Sequence, residues 1–204
     1  MVEIMKILTR SLLAFFVVLA LGTNQLKAEP GEVHFGVDGG LTWADLKAEE
    51  TAQEIANISG STVTYEYDEA TWAGRIYGDY GIADNMNIEL GWMISGSLDA
   101  TYTLSGASAS ESYKMSVFDA SLKYQLDDSP IFVKGGMHHS TINGAAEITI
   151  GGTTYDIADS ITGTGWLAGG GMEVGNNRYG ATYIASVGGD SDSNTFFAYY
   201  GWRF

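Results

Sequence analysis

His138 and Ser140, a histidine two residues before a serine, are the clearest candidates for nucleophilic chemistry in this 204-residue chain. On a β-strand the two side chains share one face, because side chains alternate with a period of two. With Glu147 seven residues further on, the set would supply a nucleophile, a general base and a carboxylate to orient that base. The neighbouring His139 faces the opposite way and no further ligand has suitable spacing, so the segment does not predict a metal site.

Carboxylates crowd the segment that follows the first strand, and hard divalent cations prefer such oxygen ligands. The six residues are Glu49, Glu50, Glu54, Glu66, Asp68 and Glu69. No calcium-loop motif accompanies them, so a solvated, mutually repulsive surface is the favoured interpretation and cation binding is the alternative. We therefore expect no metal and no cofactor.

Ten further charged residues lie in segments in which apolar residues occupy every second position. The charged residues fall on the face opposite the apolar one. They are the acids Asp38, Asp79, Glu89, Asp119 and Glu173 and the bases Arg75, Lys123, Lys134, Arg178 and Arg203. If these faces enclose an interior, the charges must be paired, because an unpaired buried ion costs several kcal/mol. The equal numbers predict an ion-pair network, and the alternative is the lining of a narrow ion path.

Eight alternating segments must position these residues. Their apolar faces lie in residues 33–43, 72–80, 86–94, 118–124, 131–137, 166–174, 179–187 and 196–204. None of these faces carries a charge. The alternating segments that contain them are about ten residues long, which suits a membrane-spanning strand of about 9–11 residues. With 27 glycines, two prolines and no long helix-period segment, the chain is predicted to be all-β. The prediction is an eight-stranded antiparallel up-and-down transmembrane β-barrel, whose interior at this size is filled by side chains.

Aromatic residues mark both ends of these strands, as expected for two girdles at the membrane interfaces. Trp43, Trp72 and Trp166 lie near one end, and Tyr80, Tyr124, Tyr179 and Trp202 lie near the other.

Residues 1–28 have the organisation of a cleavable signal peptide. Lys6 and Arg10 precede the apolar run Leu12–Leu21, which is far shorter than the roughly 20 residues of a spanning helix. Cleavage after Ala28, with Gly22 as second choice and Met5 as an alternative start, leaves one domain of 176 residues, 29–204. Removal takes three of the ten bases and one of the 25 acids. The remaining acidity argues against nucleic acid as a partner, and the absence of cysteine excludes disulfides.

Connection lengths predict the orientation of the barrel, since short turns on the periplasmic side and long loops outside are the outer-membrane pattern. Short turns are expected at 81–85, 127–130 and 175–177, and the other connections at 44–71, 99–112, 140–161 and 188–193. Gly151-Gly152 between two alternating segments predicts a hairpin that continues strands five and six. The segments 62–68 and 101–104 predict the same for strands two and three, and 44–58 predicts a short helix.

The last nine residues, Phe196 to Phe204, resemble the closing strand of bacterial outer-membrane β-barrels in their F-x-A-x-Y-x-W-x-F pattern. Together with strand count and alternation, they make residues 33–204 resemble the eight-stranded barrels of the OmpX, NspA, opacity-protein and OmpA-transmembrane-domain type. The resemblance implies export through the periplasm to the cell outer membrane. It also implies an assembly signal, read by the barrel-assembly machinery, in Phe196, Tyr200, Trp202 and Phe204.

The resemblance further implies contact with outer-membrane lipid and lipopolysaccharide, and adhesive, protective or membrane-stabilising roles. The favoured function is a structural or adhesin-like surface protein with a filled lumen and an extracellular protein ligand. The alternatives are a narrow pore or small-solute transport protein, and a lipid A-modifying hydrolase. The His138-x-Ser140 pair is similar to that of the outer-membrane lipid A deacylase, but that family places it late in the barrel, facing lipid, and follows serine with Asn instead of Thr141. No enzymatic activity is therefore expected.

Overall fold

In the computed structural model, residues 29–44, 47–186 and 194–204 are described, and their strands form an antiparallel sheet closed into a ring. The elements are β1 Val33–Ala44, α1 Ala48–Ser59, β2 Thr64–Tyr67, β3 Ala70–Ala83, β4 Met86–Leu104, β5 Ala107–Gln125, β6 Ile131–Ile150, β7 Thr153–Val174, β8 Asn177–Ser186 and β9 Asn194–Arg203. The predicted signal peptide and the predicted connection 188–193 lie outside the described residues.

Pairing of the first and last strands closes the ring. β1 pairs with β3 on one side and with β9 on the other, and β4 to β8 follow in chain order between them. At the seam, Gly39 of β1 lies opposite Gly74 of β3 and Tyr200 of β9. A closed ring leaves no unpaired backbone edge in its wall, which is the condition for a sheet in a bilayer. The predicted eight-stranded antiparallel barrel is confirmed, and β2 is an additional strand outside the ring.

The outer face of the ring is an apolar band, because the uncharged face of each alternating segment points outward. Phe35 and Trp72 are 62% and 57% exposed. Ring pairs on neighbouring strands lie near both ends of the band. They are Trp43–Phe196 and Trp166–Tyr183, with centroids 5.8 and 5.6 Å apart, and Tyr179–Tyr200, 5.1 Å apart. Such a band suits hydrocarbon chains flanked by two polar interfaces.

Tight connections join the strands at one end of the barrel, which we call the turn end. They comprise residues 84–85, 126–130 and 175–176. Asn85, Asp128 and Gly175 each have a positive φ there, a conformation that Asn, Asp and Gly adopt at the least steric cost.

Two long hairpins, β4–β5 and β6–β7, extend beyond the wall at the opposite end, which we call the projecting end. β6 and β7 pair without interruption from Ile131 opposite Met172 to Ile150 opposite Thr153. Gly151 and Gly152 close this hairpin with φ values of 57° and 85°, as a two-residue turn of this handedness requires. The predicted continuation of strands five and six is confirmed. The predicted continuation of strand three through 101–104 is also confirmed, since β4 runs to Leu104. The connection expected at 99–112 is therefore mostly strand, with Leu104 paired to Ala107.

The segment 62–68 differs from the prediction that it continues strand two. It forms β2, a separate strand that pairs with the upper part of β4, Tyr65 lying opposite Tyr102. The break falls at Asp68 and Glu69, where the Asp68 backbone N–H donates to the Asp99 carbonyl at 2.8 Å. Asp68 and Glu69 are both exposed at this break, as expected for two adjacent carboxylates.

The predicted short helix is present as α1. Its residues Ala48 and Ala52 are buried against Ala100 and Tyr102 of β4. Gly60, at φ 64°, ends the helix by donating its N–H to the Ala56 carbonyl at 2.9 Å, the usual role of a left-handed glycine at this place. In the described part of the chain, no helix has the length and apolar character needed to cross a membrane.

Candidate functional site: the barrel interior and the projecting sheet

The ten charged residues singled out by their alternation all lie inside the barrel, and each is at most 6% exposed. Their strands place them there because each neighbours an outward apolar residue in sequence, and successive side chains point to opposite faces. Five strands carry one acid each and five strands carry one base each. The charges of these ten interior residues therefore sum to zero.

Arg75 of β3 is the centre of one half of the network. Its Nε and Nη2 donate to the two carboxylate oxygens of Asp119 at 2.9 and 2.7 Å. Nη1 donates to Asp38 at 3.2 Å and Nη2 also to Glu89 at 2.9 Å. The planar guanidinium thus contacts three carboxylates, a fork geometry that lysine cannot provide.

Arg178 of β8 shares Glu89 with this half. Its Nη1 donates to Glu89 Oε2 at 2.7 Å, and Lys134 Nζ donates to Oε1 at 3.2 Å. The Arg178 guanidinium also lies 4.4 Å from the Tyr77 ring centroid, 4.8 Å from that of Phe132 and 5.4 Å from that of Tyr199. Aromatic faces attract a desolvated cation, so the three rings replace part of the hydration that Arg178 loses.

Glu173 of β7 connects the network to the turn end. It accepts from Lys123 Nζ at 2.8 Å and from Arg203 Nη1 at 3.1 Å, and its Oε1 lies 3.8 Å from Arg178 Nε. Lys123 also donates to Asp79 at 3.2 Å. Through these contacts the ten side chains form one connected set.

Sequence reasoning missed two polar members at the turn end. Asn87 Nδ2 donates to Asp79 Oδ1 at 2.7 Å, and His34 Nδ1 lies 3.1 Å from the same oxygen. Asn87 lies two residues before Glu89 on β4 and therefore points to the same, inward face. The alternation of the sequence could thus have identified it. His34 also has the inward alternation of Asp38, and it lies opposite Asp79 in the β1–β3 register.

An apolar layer fills the interior above the network, toward the projecting end, and sequence reasoning missed it as well. It consists of Ala73, Met93, Val117, Leu167, Ile184 and Phe197, with Met115 packed against it. These residues continue the inward alternation of their strands, which is the signal that could have found them. The void between this layer and Arg75 measures about 10 Å³, at the lower limit of the space that holds one water molecule.

The histidine–serine pair does not form a catalytic dyad. His138 and Ser140 are both buried on the inner face of β6, but His138 Nε2 lies 3.0 Å from the Ala185 carbonyl. Ser140 Oγ contacts the Gly163 carbonyl at 3.4 Å. Glu147 is exposed, has the opposite alternation and lies roughly 23 Å further along the strand at the usual rise per residue. His139 faces outward, so the segment lacks the arrangement of a nucleophile, a base and its orienting acid.

The first-loop carboxylates are spread over α1, β2 and the break that follows it. Glu49 and Glu50 lie in the first turn of the helix, where acids complement the helix dipole. Over residues 29–44, 47–186 and 194–204, no group of three or more acidic or histidine side chains is arranged to hold a metal ion.

The residues of the predicted assembly signal lie on the outer face of β9 and at its end. Phe196, Tyr200, Trp202 and Phe204 are 43%, 50%, 43% and 68% exposed. The Phe204 backbone N–H donates to the Phe35 carbonyl at 2.8 Å, which extends the β1–β9 seam to the last residue.

The projecting parts of β4, β5, β6 and β7, together with β2, form a five-stranded sheet. Its β5–β7 part, which we call the projecting sheet, has two different faces. Its outer face is polar, with Ser108, Ser110, Ser112, Lys114, Asn143, Glu147, Thr154, Asp156 and Ser160. Its inner face continues the inside of the barrel and is mostly apolar, with Tyr113, Ile142, Ala146, Ile148, Tyr155, Ile157 and Ile161. α1 packs against part of this inner face, at Ala109 of β5, and against the neighbouring Ala100 and Tyr102 of β4.

Among the described strands, β7 is one edge of the five-stranded sheet and β2 is the other. β7 pairs with β8 from Gly165 opposite Ser186 to Val174 opposite Asn177. From Thr153 to Thr164, it pairs with β6 alone among the described residues. Tyr155 and Ile157 on this part are 56% and 53% exposed, an unusual exposure for large apolar side chains outside the membrane band.

Tyr113 lies at the centre of the inner face of β5. Its hydroxyl donates to Glu111 Oε2 at 2.8 Å. Burial, together with this hydrogen bond and the charge of Glu111, raises the pKa of the Tyr113 hydroxyl above its usual value. The phenol therefore stays neutral and remains a donor throughout the physiological range.

Comparison with solved structures identifies the fold. Ail, the attachment invasion locus protein of Yersinia pestis, superposes with a TM-score of 0.53 at 15% identity, over 86% of this chain and 99% of Ail. OprG of Pseudomonas aeruginosa gives 0.49 at 10% identity, over 87% and 98%. Neisserial surface protein A gives 0.39 at 12%, over 84% and 95%.

In sequence, neither a protein-family model nor a curated protein matches the chain. The likeness to Ail and the closed ring with its apolar band agree on the architecture. By fold, the chain is an eight-stranded outer-membrane β-barrel.

Proposed function

We propose that this protein is a structural and surface-interaction protein of the outer membrane, with a closed lumen and a ligand-binding projecting sheet. The turn end faces the periplasm and the projecting end faces the exterior. The proposal depends above all on one observation, the extension of β6 and β7 beyond the wall as a hairpin with an apolar inner face and a β7 edge that no strand of the described residues pairs with.

The packed interior supports this proposal over transport. The ion-pair network and the apolar layer lie one above the other, and the void between them is about 10 Å³. A solute or hydrated ion would have to displace both. A channel lining needs sites that an ion can enter and leave, whereas each of these carboxylates is already paired with a basic side chain of the barrel, and Glu89 and Glu173 with three each. The proposal also includes no catalytic role, since His138 and Ser140 contact backbone carbonyls.

The open edge explains how the projecting sheet would bind a protein. An unpaired strand presents a row of N–H and C=O groups that an extended partner segment can pair with, while pockets on the sheet select its side chains. Soluble proteins usually cover or charge such an edge. On β7, acidic Asp156 points to the outer face of the sheet, and the exposed Tyr155 and Ile157 point to its inner face. Ail, the relative in fold, is by name an attachment protein.

Trimming the hairpin tests this function. Deleting residues 144–150 and 153–159 joins Asn143 to Ser160 through the native Gly151-Gly152 turn and keeps the register below it. Intact cells that display the full-length protein should bind a panel of immobilised extracellular proteins more strongly than cells with the trimmed protein. Surface display, measured by an epitope at the β4–β5 turn, is the control. Equal binding by both, at equal display, would contradict the proposal.

A further inference from the structure

The inner face of the projecting sheet has a depression over Gly144. The strand register places Tyr113, Gly144 and Asp159 in one row across β5, β6 and β7. The row on one side is apolar, with Ile142 beside Ile161. The row on the other side has Ala146 and Ile157 beside the carboxylate of Glu111. Because Gly144 has no side chain, the row is open in its middle, and a pocket of about 150 Å³ remains above it.

The pocket combines apolar walls with attraction for positive charge. Asp159 lines its edge, and the Asp159 carboxylate accepts a hydrogen bond from the adjacent Ser160 N–H at 2.7 Å. Among the described residues no base forms an ion pair with Asp159. Lys114, the base next to Tyr113 in sequence, points to the opposite face of the sheet. The Tyr113 ring forms the facing wall, and an aromatic face attracts a cation.

We propose that this pocket binds a lysine or arginine side chain of an extended partner segment. The inference rests on the proposed function, since it specifies the ligand of the same sheet. The volume is close to that of an engineered cavity that holds benzene, so the aliphatic stem of a basic side chain fits. The stem would lie against Ile142 and Ile157, as such stems commonly cover apolar surface, and the cation would meet Asp159 and Tyr113.

Strand geometry fixes the sequence that the partner would need. A strand added to the β7 edge places the residue opposite Asp159 in the same row and on the same face, with Cβ atoms about 4.5–5.5 Å apart. Its neighbours two positions away then lie opposite Ile157 and Ile161. The partner motif is therefore apolar-x-basic-x-apolar in extended conformation. The acidic character of the chain, 25 acids against 10 bases, also favours a basic partner.

Three synthetic nine-residue peptides test the proposal. The first has valines two positions on either side of a central lysine, the second has norleucine in place of the lysine, and the third has the lysine moved by one position. The peptides are titrated into the mature protein, residues 29–204, in detergent micelles, and binding is measured by NMR. We expect the first peptide to bind most tightly, since the second lacks the charge and the third presents it on the outer face.

Substitutions separate the pocket from general attraction. Asp159→Asn should weaken the central-lysine peptide about two- to fivefold, the usual strength of a partly exposed ion pair, and leave the norleucine peptide unchanged. Gly144→Ala should weaken both peptides, because a Cβ there would meet the Tyr113 ring at 3.2 Å and fill the floor. The matched controls, Asp156→Asn and Asn143→Ala, change the outer face of the same strands and should leave the order of affinities intact.

The outcomes distinguish the two proposals. If the lysine and norleucine peptides bind equally and Asp159→Asn behaves like Asp156→Asn, the basic-side-chain pocket is wrong. If the trimmed hairpin abolishes peptide binding in that case, the projecting sheet remains the binding surface. If none of the three peptides binds to the native protein, the pocket proposal is overturned. The proposed function is tested separately by the cell-binding comparison, and it is wrong only if cells with the full-length and the trimmed protein bind equally.

Discussion

Arg178 lies where three aromatic rings and three carboxylates, those of Asp38, Glu89 and Glu173, meet, and its side chain is fully buried. Arg203, on the neighbouring strand, is buried nearly as completely but has Glu173 as its single carboxylate partner in the described residues. The two arginines therefore have similar burial and different numbers of partners. This difference makes them a matched pair for measuring what the network contributes.

Replacing Arg178 by Met should destabilise the barrel by about 3–5 kcal/mol, the usual cost of leaving a buried partner charge uncompensated. The same change at Arg203 should cost less, about 1.5–3 kcal/mol, the range for a hydrogen bond to a charged group. Urea unfolding in phospholipid vesicles, followed by tryptophan fluorescence, gives both values. Lys114→Met, on the outer face of the projecting sheet, is the exposed control. Equal losses for Arg178→Met and Lys114→Met would contradict the network.

Gly36 and Gly39 of β1 test the interior packing from the backbone side. A Cβ on Gly36 would overlap the Tyr77 ring, which lies against Arg178, whereas a Cβ on Gly39 would meet nothing within 4 Å. Gly36→Ala should therefore cost about 1–3 kcal/mol through overpacking. Gly39→Ala should be neutral or stabilising by up to about 1 kcal/mol, because it restricts the unfolded chain. The same unfolding assay compares them, and equal effects would show that Tyr77 moves aside freely.

At the scale of the elements, the alternation of apolar and polar residues was sufficient to find the eight strands of the wall. It also showed which charged side chains face the interior. It worked because a membrane strand must keep one face free of charge over its whole length, so a shift by one residue is strongly penalised. It was also sufficient for the Gly151-Gly152 turn, where the turn type requires residues that accept positive φ.

Alternation was insufficient where the ladder is irregular. Between Ile94 and Ser97 the β4–β5 register shifts, so Met93 below the bulge and Leu98 above it both face inward although their spacing is odd. A count started in the membrane therefore assigns the upper part of β4 to the wrong face. The pocket over Gly144 was not predictable either, because it depends on which residues of three strands share a row.

The projecting hairpin should be dispensable for the barrel. The residues removed by deleting 144–150 and 153–159 contribute nothing to the ion-pair network or the apolar layer. The upper part of β5, Ala107–Tyr113, loses its β6 partner, but the pairing of the eight strands in the wall below Asn143 and Ser160 is kept. The trimmed protein should therefore show the same difference in gel mobility between unboiled and boiled samples as the native protein, and a urea midpoint within experimental error of it. Loss of the mobility difference would mean that the hairpin is needed to close the ring.

For the whole molecule, the distribution of charge separates the interior from the exterior. Five of the seven bases in residues 29–204 lie in the interior network, and they neutralise five acids there. The remaining acids of the described residues lie in turns and at the projecting end. The described residues thus combine a neutral, filled barrel with acidic ends, a distribution of charge that favours the approach of basic partners.

A filled barrel should not conduct. Purified native protein in planar bilayers is expected to show no steady, reproducible conductance steps, because an ion would have to cross both the network and the apolar layer. Substituting Leu167→Ser and Phe197→Ser together opens the apolar layer and leaves the network intact, so this variant should also be silent. Adding Arg75→Ala removes the contact that joins Asp38, Asp119 and Glu89, and conductance should then appear. Steady steps from the native protein would show that the lumen is a pore, and steps from the two-residue variant would show that the apolar layer alone closes it.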